Sequence, residues 1–369
     1  SSSGTSSAPY TGTATTPTRT TVQNGTASTV VSVADGSRLV REAAANQSES
    51  IVIKPEITSD VTKTEVTIPA STVSQIGNQT SAALTISTPV AGVTIPNEAL
   101  DTLSGPGGSV SVVTEQTDQA VVLTLTAGGE NVESLPGGLT LTVPVEDAGP
   151  GTVAVLVHED GTRETIRKSM VEDGSLSIPL NGSATVEIVD NSKDFDDVPS
   201  TSWAADAVAF ASAHELFSGT GETTFSPDQA MSRGMLAAVL YSLEGCPEQE
   251  PTSEFDDVSG GAWYADSIAW ATENGITSGY GNGQFGPDDS ITREQFVVML
   301  WKYAGSPAPS GQTLDFADAD QASGFALDAL CWAVENGILS GCNEDQLAPD
   351  GTATRAQAAQ MLKNFMENT

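Results

Sequence analysis

The chain has 369 residues and carries 48 acidic side chains against 14 Lys and Arg, a formal net charge of −34. That length holds two or three domains with ample core. The charge argues against nucleic acid, whose phosphates need basic patches, and against electrostatic docking on anionic lipid. No apolar run approaches the roughly 18 residues of a membrane span, so no membrane insertion is expected.

In chain order, residues 1–47 are rich in Ser and Thr with scattered Gly and Pro. Such a segment buries too little apolar surface to offset its ordering entropy, which predicts a flexible tether. The chain opens on Ser1 without a charged n-region or apolar core, so a secreted form would be a processed chain or a fragment.

From 48 to 190 the pattern changes to a period of two. SIVIKPEI, TEVTIP, ALTIST, SVSVVTE, AVVLTLTA, LTLTVPV, TVAVLVHE, SLSIPL and ATVEIVD all read as strands. Asp160-Gly161 and Asn181-Gly182 are turn dipeptides, the first fitting a hairpin. Val66-Thr67-Ile68-Pro69 recurs as Val93-Thr94-Ile95-Pro96, each followed by apolar residues three apart (Val73/Ile76 and Leu100/Leu103) and then a strand. This predicts a β-rich, sandwich-like domain with one or two short helices.

The remainder repeats. Phe195, Phe255 and Phe316 anchor three copies spaced 60 and 61 residues apart, and Arg233, Arg293 and Arg355 recur near their ends. The copies span 194–250, 254–310 and 314–369. In the central one Trp263, Ser267, Ile268, Trp270 and Ala271 recur at helical spacing, and Asn274-Gly275 is a helix stop. A glycine-rich loop follows from Ser278 to Asp289. Thr292 with Gln295 then forms a capping box, and Phe296, Val297, Leu300 and Trp301 give a second apolar face. Each copy therefore reads as helix, long loop, helix, and the C-terminal region as all-α. In the first copy Glu215 stands where the stop glycine belongs and Met235 at the capping-box position.

Nothing here reads as a catalytic centre. His158 and His214 fall in different domains, and neither an H-E-x-x-H nor a G-x-S-x-G motif occurs. Carboxylate pairs such as Asp196-Asp197 and Asp288-Asp289 are expected by chance among 48 acids. Gly279 to Gly283 lacks the lysine of a phosphate loop, and the acidic loops lack calcium-loop spacing. Cys246, Cys331 and Cys342 are too few and scattered for a disulfide framework or zinc site; Cys331 and Cys342 share one copy and could pair. The expectation is a non-enzymatic protein with no cofactor and no metal.

The copies resemble the S-layer homology domain, a bacterial surface-anchoring module. The resemblance rests on Phe255-Asp256-Asp257-Val258, Trp263, Asn274-Gly275-Ile276, Phe285-Gly286-Pro287 and Ile291-Thr292-Arg293, with partial echoes in the other copies. Phe325 replaces the tryptophan and Leu347 the loop phenylalanine of the third copy. The preceding β region resembles modules that often precede surface-layer repeats in Gram-positive anaerobes. The resemblance implies pseudo-threefold packing, one helix per repeat in a central bundle, and three grooves between repeats. It implies an extracellular chain held non-covalently on the wall by an anionic, commonly pyruvylated, secondary cell-wall polysaccharide. An adhesin or carbohydrate-binding protein working through the β domain, or the anchoring fragment of a surface hydrolase, remains open, as does lateral self-association.

Three of the five cations in the repeats occupy one place, directly after the Ser/Thr cap of the second helix. The helix dipole disfavours a cation there, so helix stability does not explain the placement. Two readings stand: an ion pair with Asp197, Asp257 or Asp318, or an anion site in which guanidinium and free helix amides receive a carboxylate or phosphate. Trp203 and Trp263 suit either sugar stacking or, at helical spacing, the core, to which Trp270, Trp301 and Trp332 are assigned. Gly219, Gly279 and Gly341 suit backbone approach to a ligand or a turn with positive φ.

Overall fold

Alternating burial is sharpest where the sequence alternates most cleanly. From Lys63 to Pro69 every second residue is buried, and from Val121 to Ala127 the same rhythm holds. Such a strand can pair on both edges while burying one face. The computed structural model describes residues 12–14, 19–249, 254–311, 313–342 and 345–369, and divides into two compact units.

The first unit comprises residues 1–148 and 153–189. Its strands are β1 (Gly12–Ala14), β2 (Arg19–Gln23), β3 (Thr26–Val30), β4 (Ser50–Ile53), β5 (Lys63–Pro69), β6 (Ala83–Ser87), β7 (Gly92–Ile95) and β8 (Ser109–Gln116). They continue as β9 (Val121–Ala127), β10 (Glu130–Asn131), β11 (Leu139–Pro144), β12 (Thr152–Val157), β13 (Arg163–Ile166), β14 (Met170–Glu172), β15 (Ser175–Leu180) and β16 (Ala184–Asp190). Three helices interrupt them: α1 (Val33–Asn46), α2 (Ala70–Gln79) and α3 (Leu100–Ser104).

One sheet has the order β1-β4-β6-β7-β11-β15-β14; the other runs β13-β12-β16-β9-β8-β5-β3-β2, with β10 on β9. The pairs β1/β4, β4/β6 and β3/β5 are parallel. Parallel neighbours cannot be joined by a tight turn. The chain therefore leaves one sheet, crosses through α1 or α2, and returns. Ile51, Leu84, Val93, Leu141 and Ile178 of the first sheet share a core with Ile68, Val110, Leu123 and Val186 of the second, and with Leu39, Val73 and Leu103 of the helices.

The nine strand segments expected from sequence all form strands. The internal echo is structural: β5 leads through α2 to β6, and β7 through α3 to β8. The Asp160-Gly161 hairpin joins β12 to β13.

The tether is a correction. Residues 1–11 and 15–18 lie outside the described residues, but from Arg19 onward the expected tether is folded. Strand β3 pairs with β2 and β5 and buries Ala27 and Thr29, while α1 buries Leu39, Val40 and Ala43. Ser32 caps α1 by accepting from the Asp35 amide at 3.1 Å. Small side chains on one strand face and a capped amphipathic helix supply the order that Ser/Thr content alone did not suggest.

The second unit, residues 149–152 and 190–369, is helical. Its helices are α4 (Ala205–Ala213), α5 (Arg233–Leu243), α6 (Ala265–Glu273), α7 (Arg293–Tyr303), α8 (Leu327–Glu335) and α9 (Arg355–Asn368). Thr292 and Thr354 cap α7 and α9 with complete capping boxes, through Gln295 and Gln357. Ser232 caps α5 through the Met235 amide alone. Gly275 and Gly337 follow α6 and α8 with positive φ, and after α4 Glu215 takes that conformation at φ 54°. Helices α6, α8 and α4 pack on α5, α7 and α9 respectively, so each first helix rests on the second helix of another copy. Trp270 and Trp332 are buried as assigned, whereas Trp301 is half-buried with Nε1 donating to the Pro307 carbonyl at 2.8 Å. The cysteines are free. Among the described residues no helix is long and apolar enough to cross a membrane.

Candidate functional site

Three short apolar segments meet just before α5, α7 and α9. The Met231 amide donates to the Ala353 carbonyl (2.9 Å), Ile291 to Met231 (2.8 Å) and Ala353 to Ile291 (2.9 Å). These bonds form a closed triangle, and its three side chains are fully buried. Each segment thereby aims the start of its second helix at the loop of another copy.

That placement decides what the helix N-termini can do. The Arg233 and Gly234 amides donate to the carbonyls of Asp289 and Pro287, those of Arg293 and Glu294 to Gly351 and Pro349, and those of Arg355 and Ala356 to Gln229 and Pro227. With the Ser/Thr cap on the third amide, the donors an anion would need are already engaged. The expectation of free helix amides at an anion site is corrected.

The ion-pair reading is corrected too. Among the described residues no ion pair involves these three arginines. Each arginine and aspartate grips the same loop from opposite sides. Asp257 accepts from the Phe285 and Gly286 amides (2.9 and 2.7 Å), while Arg233 Nε donates to the Phe285 carbonyl at 2.9 Å. Asp318 accepts from Leu347 and Ala348 (2.8 Å each), with Arg293 Nε on the Leu347 carbonyl and Nη2 on Ser340. Asp197 accepts from Phe225 and Ser226, and Arg355 reaches back to the carbonyls of Phe225 (2.9 Å) and Ser218 (2.7 Å). The aspartate belongs to the loop's own copy and the arginine to another, so the clamps lace the copies together.

Electrostatics follow. Burial pulls each arginine's pKa down, and nearby carboxylates, Asp289 and Asp257 at Arg233, Asp318 at Arg293 and Asp197 at Arg355, oppose it. Burial would raise the Asp197 and Asp257 carboxyls, but the loop amides and facing arginine hold them below the ordinary range. For Asp318 the Leu347 amide is the leading cause of the same depression. The arginines are 5–6% exposed. A guanidinium has five N–H donors, of which these bonds use one or two. No nitrogen of these arginines is among the fully buried, unbonded atoms of the described residues.

An exposed aromatic precedes the first helix of each copy. Trp203, Trp263 and Phe325 are 66%, 64% and 63% exposed, so of the two alternatives for the tryptophans the core one fails. They precede α4, α6 and α8 by two residues and do not share a helix face. Trp263 meets Tyr264 edge-on at 5.1 Å, and Tyr264 lies against Gly234 at the start of α5. Ser323, close to Phe325, donates its amide and hydroxyl to Glu294 at the start of α7. Sequence reasoning missed Phe325 as the third member, although it occupies the tryptophan's place in the repeat.

The glycines are structural. A Cβ on Gly279 (φ +65°) would sit 2.5 Å from the Phe255 ring, and one on Gly219 2.8 Å from Phe195. Gly341 is half-buried. Of the histidines, His214 stacks on Phe210 at 4.0 Å and His158 Nε2 lies 3.4 Å from Glu164.

The S-layer homology domain family matches residues 194–234, 254–297 and 315–359. Residues 194–359 are three tandem S-layer homology domains. These domains anchor proteins at the cell surface, which places this chain outside the cell. The chain is 27% identical over 255 residues to an amylopullulanase of Thermoanaerobacterium thermosulfurigenes, covering 64% of this chain and 13% of that protein. It is 29% identical over 199 residues to the surface-layer 125 kDa protein of Lysinibacillus sphaericus (53% and 17%). It is 26% identical over 197 residues to the S-layer protein sap of Bacillus anthracis (51% and 23%). The chain thus spans less than a quarter of the length of these relatives.

Proposed function

We propose that the three S-layer homology domains close into a pseudo-threefold ring of helix-loop-helix repeats that holds the chain non-covalently on an anionic, pyruvylated secondary cell-wall polysaccharide. The observation that carries this reading is the state of the three arginines. Each is nearly buried and fixed by loop carbonyls, which use only one or two of its five N–H donors, and an exposed aromatic precedes the first helix of every copy. A guanidinium held this way receives an acidic substituent without first losing side-chain freedom, and the aromatic offers a face to a sugar ring. Arg233, Arg293 and Arg355 supply the charge, Trp203, Trp263 and Phe325 the stacking faces. Asp197, Asp257 and Asp318 with Gly219, Gly279 and Gly341 shape the loops.

The anchoring role is non-enzymatic and needs no cofactor. A second reading is favoured by the amylopullulanase likeness, which covers more of this chain than the C-terminal unit holds. In that reading the two units together anchor a surface hydrolase.

The test is sedimentation of the full chain and of residues 1–193 with purified walls, before and after chemical removal of wall polysaccharide. The full chain should pellet only with untreated walls, and residues 1–193 should stay in solution. Equal pelleting of both would overturn the assignment.

A further inference from the structure

The three arginine sites are not alike. At the position two residues past the serine that ends each first-helix turn, the copies carry Thr220, Tyr280 and Cys342. Four residues before each second helix they carry Gln229, Asp289 and Gly351. Only the loop facing Arg233 combines a large ring with a carboxylate. Tyr280 lies with its ring centroid 4.6 Å from the Arg233 guanidinium carbon, opposite Phe285 at 4.7 Å. The ring is 44% exposed, so it covers Arg233 from the solvent side; the second ring at Arg355, Phe217, is itself buried. Tyr280 Oη donates to Asp289 Oδ2 at 2.9 Å, which fixes both groups over the arginine.

The backbone is matched to this lid. Ser226, Gly286 and Ala348 share a left-handed φ of 58°, 71° and 48°. That conformation is costly for residues with a Cβ, yet two copies retain one. In the lidded copy a Cβ on Gly286 would fall 2.6 Å from Tyr280 Cε2, so the glycine makes room for the ring. In the first copy the space is taken instead by a Thr220–Ser226 hydroxyl bond of 2.6 Å.

Charge separates the sites in the same direction. Asp257 and Asp289 both act on Arg233, whereas the carboxylate acting on Arg293 is Asp318 and that acting on Arg355 is Asp197. Glu294, beside Arg293 in sequence, is bound to Ser323. Arg293 and Arg355 also anchor Nη2 on Ser340 and Ser218, while Arg233 is held through Nε alone among the described residues. An acidic ligand therefore meets one carboxylate per guanidinium at two sites and two at the third, where a ring also covers the approach.

We propose that Tyr280 and Asp289 are specificity-determining residues that close the Arg233 groove to acidic saccharide, so that the chain has two acidic-ligand sites, at Arg293 and Arg355. This rests on the anion-binding reading above. The test is titration calorimetry of the full chain with a pyruvylated hexosamine methyl glycoside. The wild type should show two sites. Tyr280→Thr combined with Asp289→Gly, which copies the small residues of the other loops, should show three. Gly351→Asp, whose new Cβ would lie 3.9 Å from Arg293 Cδ, should leave one and does not depend on the double variant folding. Three sites in the wild type, two in the folded double variant, or two in Gly351→Asp would overturn the proposal and leave the anion-binding reading standing. No binding to any variant would overturn both.

Discussion

The two units of this chain satisfy buried backbone groups by opposite means. In the β unit the backbone serves itself: strands such as β8 and β9 exchange ladder bonds over seven consecutive residue pairs, and side chains supply volume. In the repeats the long loops have no ladder, and charged side chains do the same work. Asp197, Asp257 and Asp318 take loop amides, and arginines from other copies take the carbonyls. One unit should therefore be sensitive to lost volume and indifferent to most polar changes, and the other sensitive to single polar groups.

The largest expected effect is Leu141→Ala. This side chain is fully buried between the sheets, and its truncation should destabilise the β unit by about 2–5 kcal/mol in urea unfolding. Next comes Arg355→Ala, which leaves the Phe225 and Ser218 carbonyls without their charged donor. At about 1.5–3 kcal/mol for a hydrogen bond to a charged group, the repeat unit should lose about 3 kcal/mol, read as an earlier tryptophan fluorescence transition. An effect below 1 kcal/mol would break the contrast between the units.

A smaller effect should appear with acid. The folded-state pKa of Asp257 is depressed, so its contribution is fully present above the unfolded value of about 4 and is lost as pH falls through the folded value. The repeat unit's stability should fall across that window. Asp257→Asn should flatten the fall and cost on the order of 1 kcal/mol at neutral pH, after discounting for exposure. Smallest is Thr94→Val in the β unit, which removes a half-buried hydroxyl bond to Thr85 and should shift stability by less than about 0.5 kcal/mol.

How much of this was legible follows from where each signal sits. Strand alternation is local, so β5, β8 and β9 could be read directly. In β3 the buried residues are Ala27 and Thr29, too small and polar to mark an alternating face, and the segment passed for a tether. The 60-residue period, the capping boxes and the helix stops were legible because each is a short pattern. The arginines were legible as a repeated position but not as clamps, because their partners are carbonyls in another copy and carbonyls leave no mark on sequence. The choice between surface and core for Trp203 and Trp263 stayed open because spacing alone does not show that a helix begins two residues later, at Ala205 and Ala265.

Amide exchange measured residue by residue on the full chain, wild type against Arg355→Lys, tests the clamp most directly. The lysine keeps the charge but cannot hold both carbonyls in a planar fork. Protection should drop in the loop around Ser218 to Ser226, 130 residues from the substitution in sequence, while Leu123 and Leu125 in the β unit stay unchanged. Protection lost only around residue 355, with the distant loop as slow as in the wild type, would contradict the account.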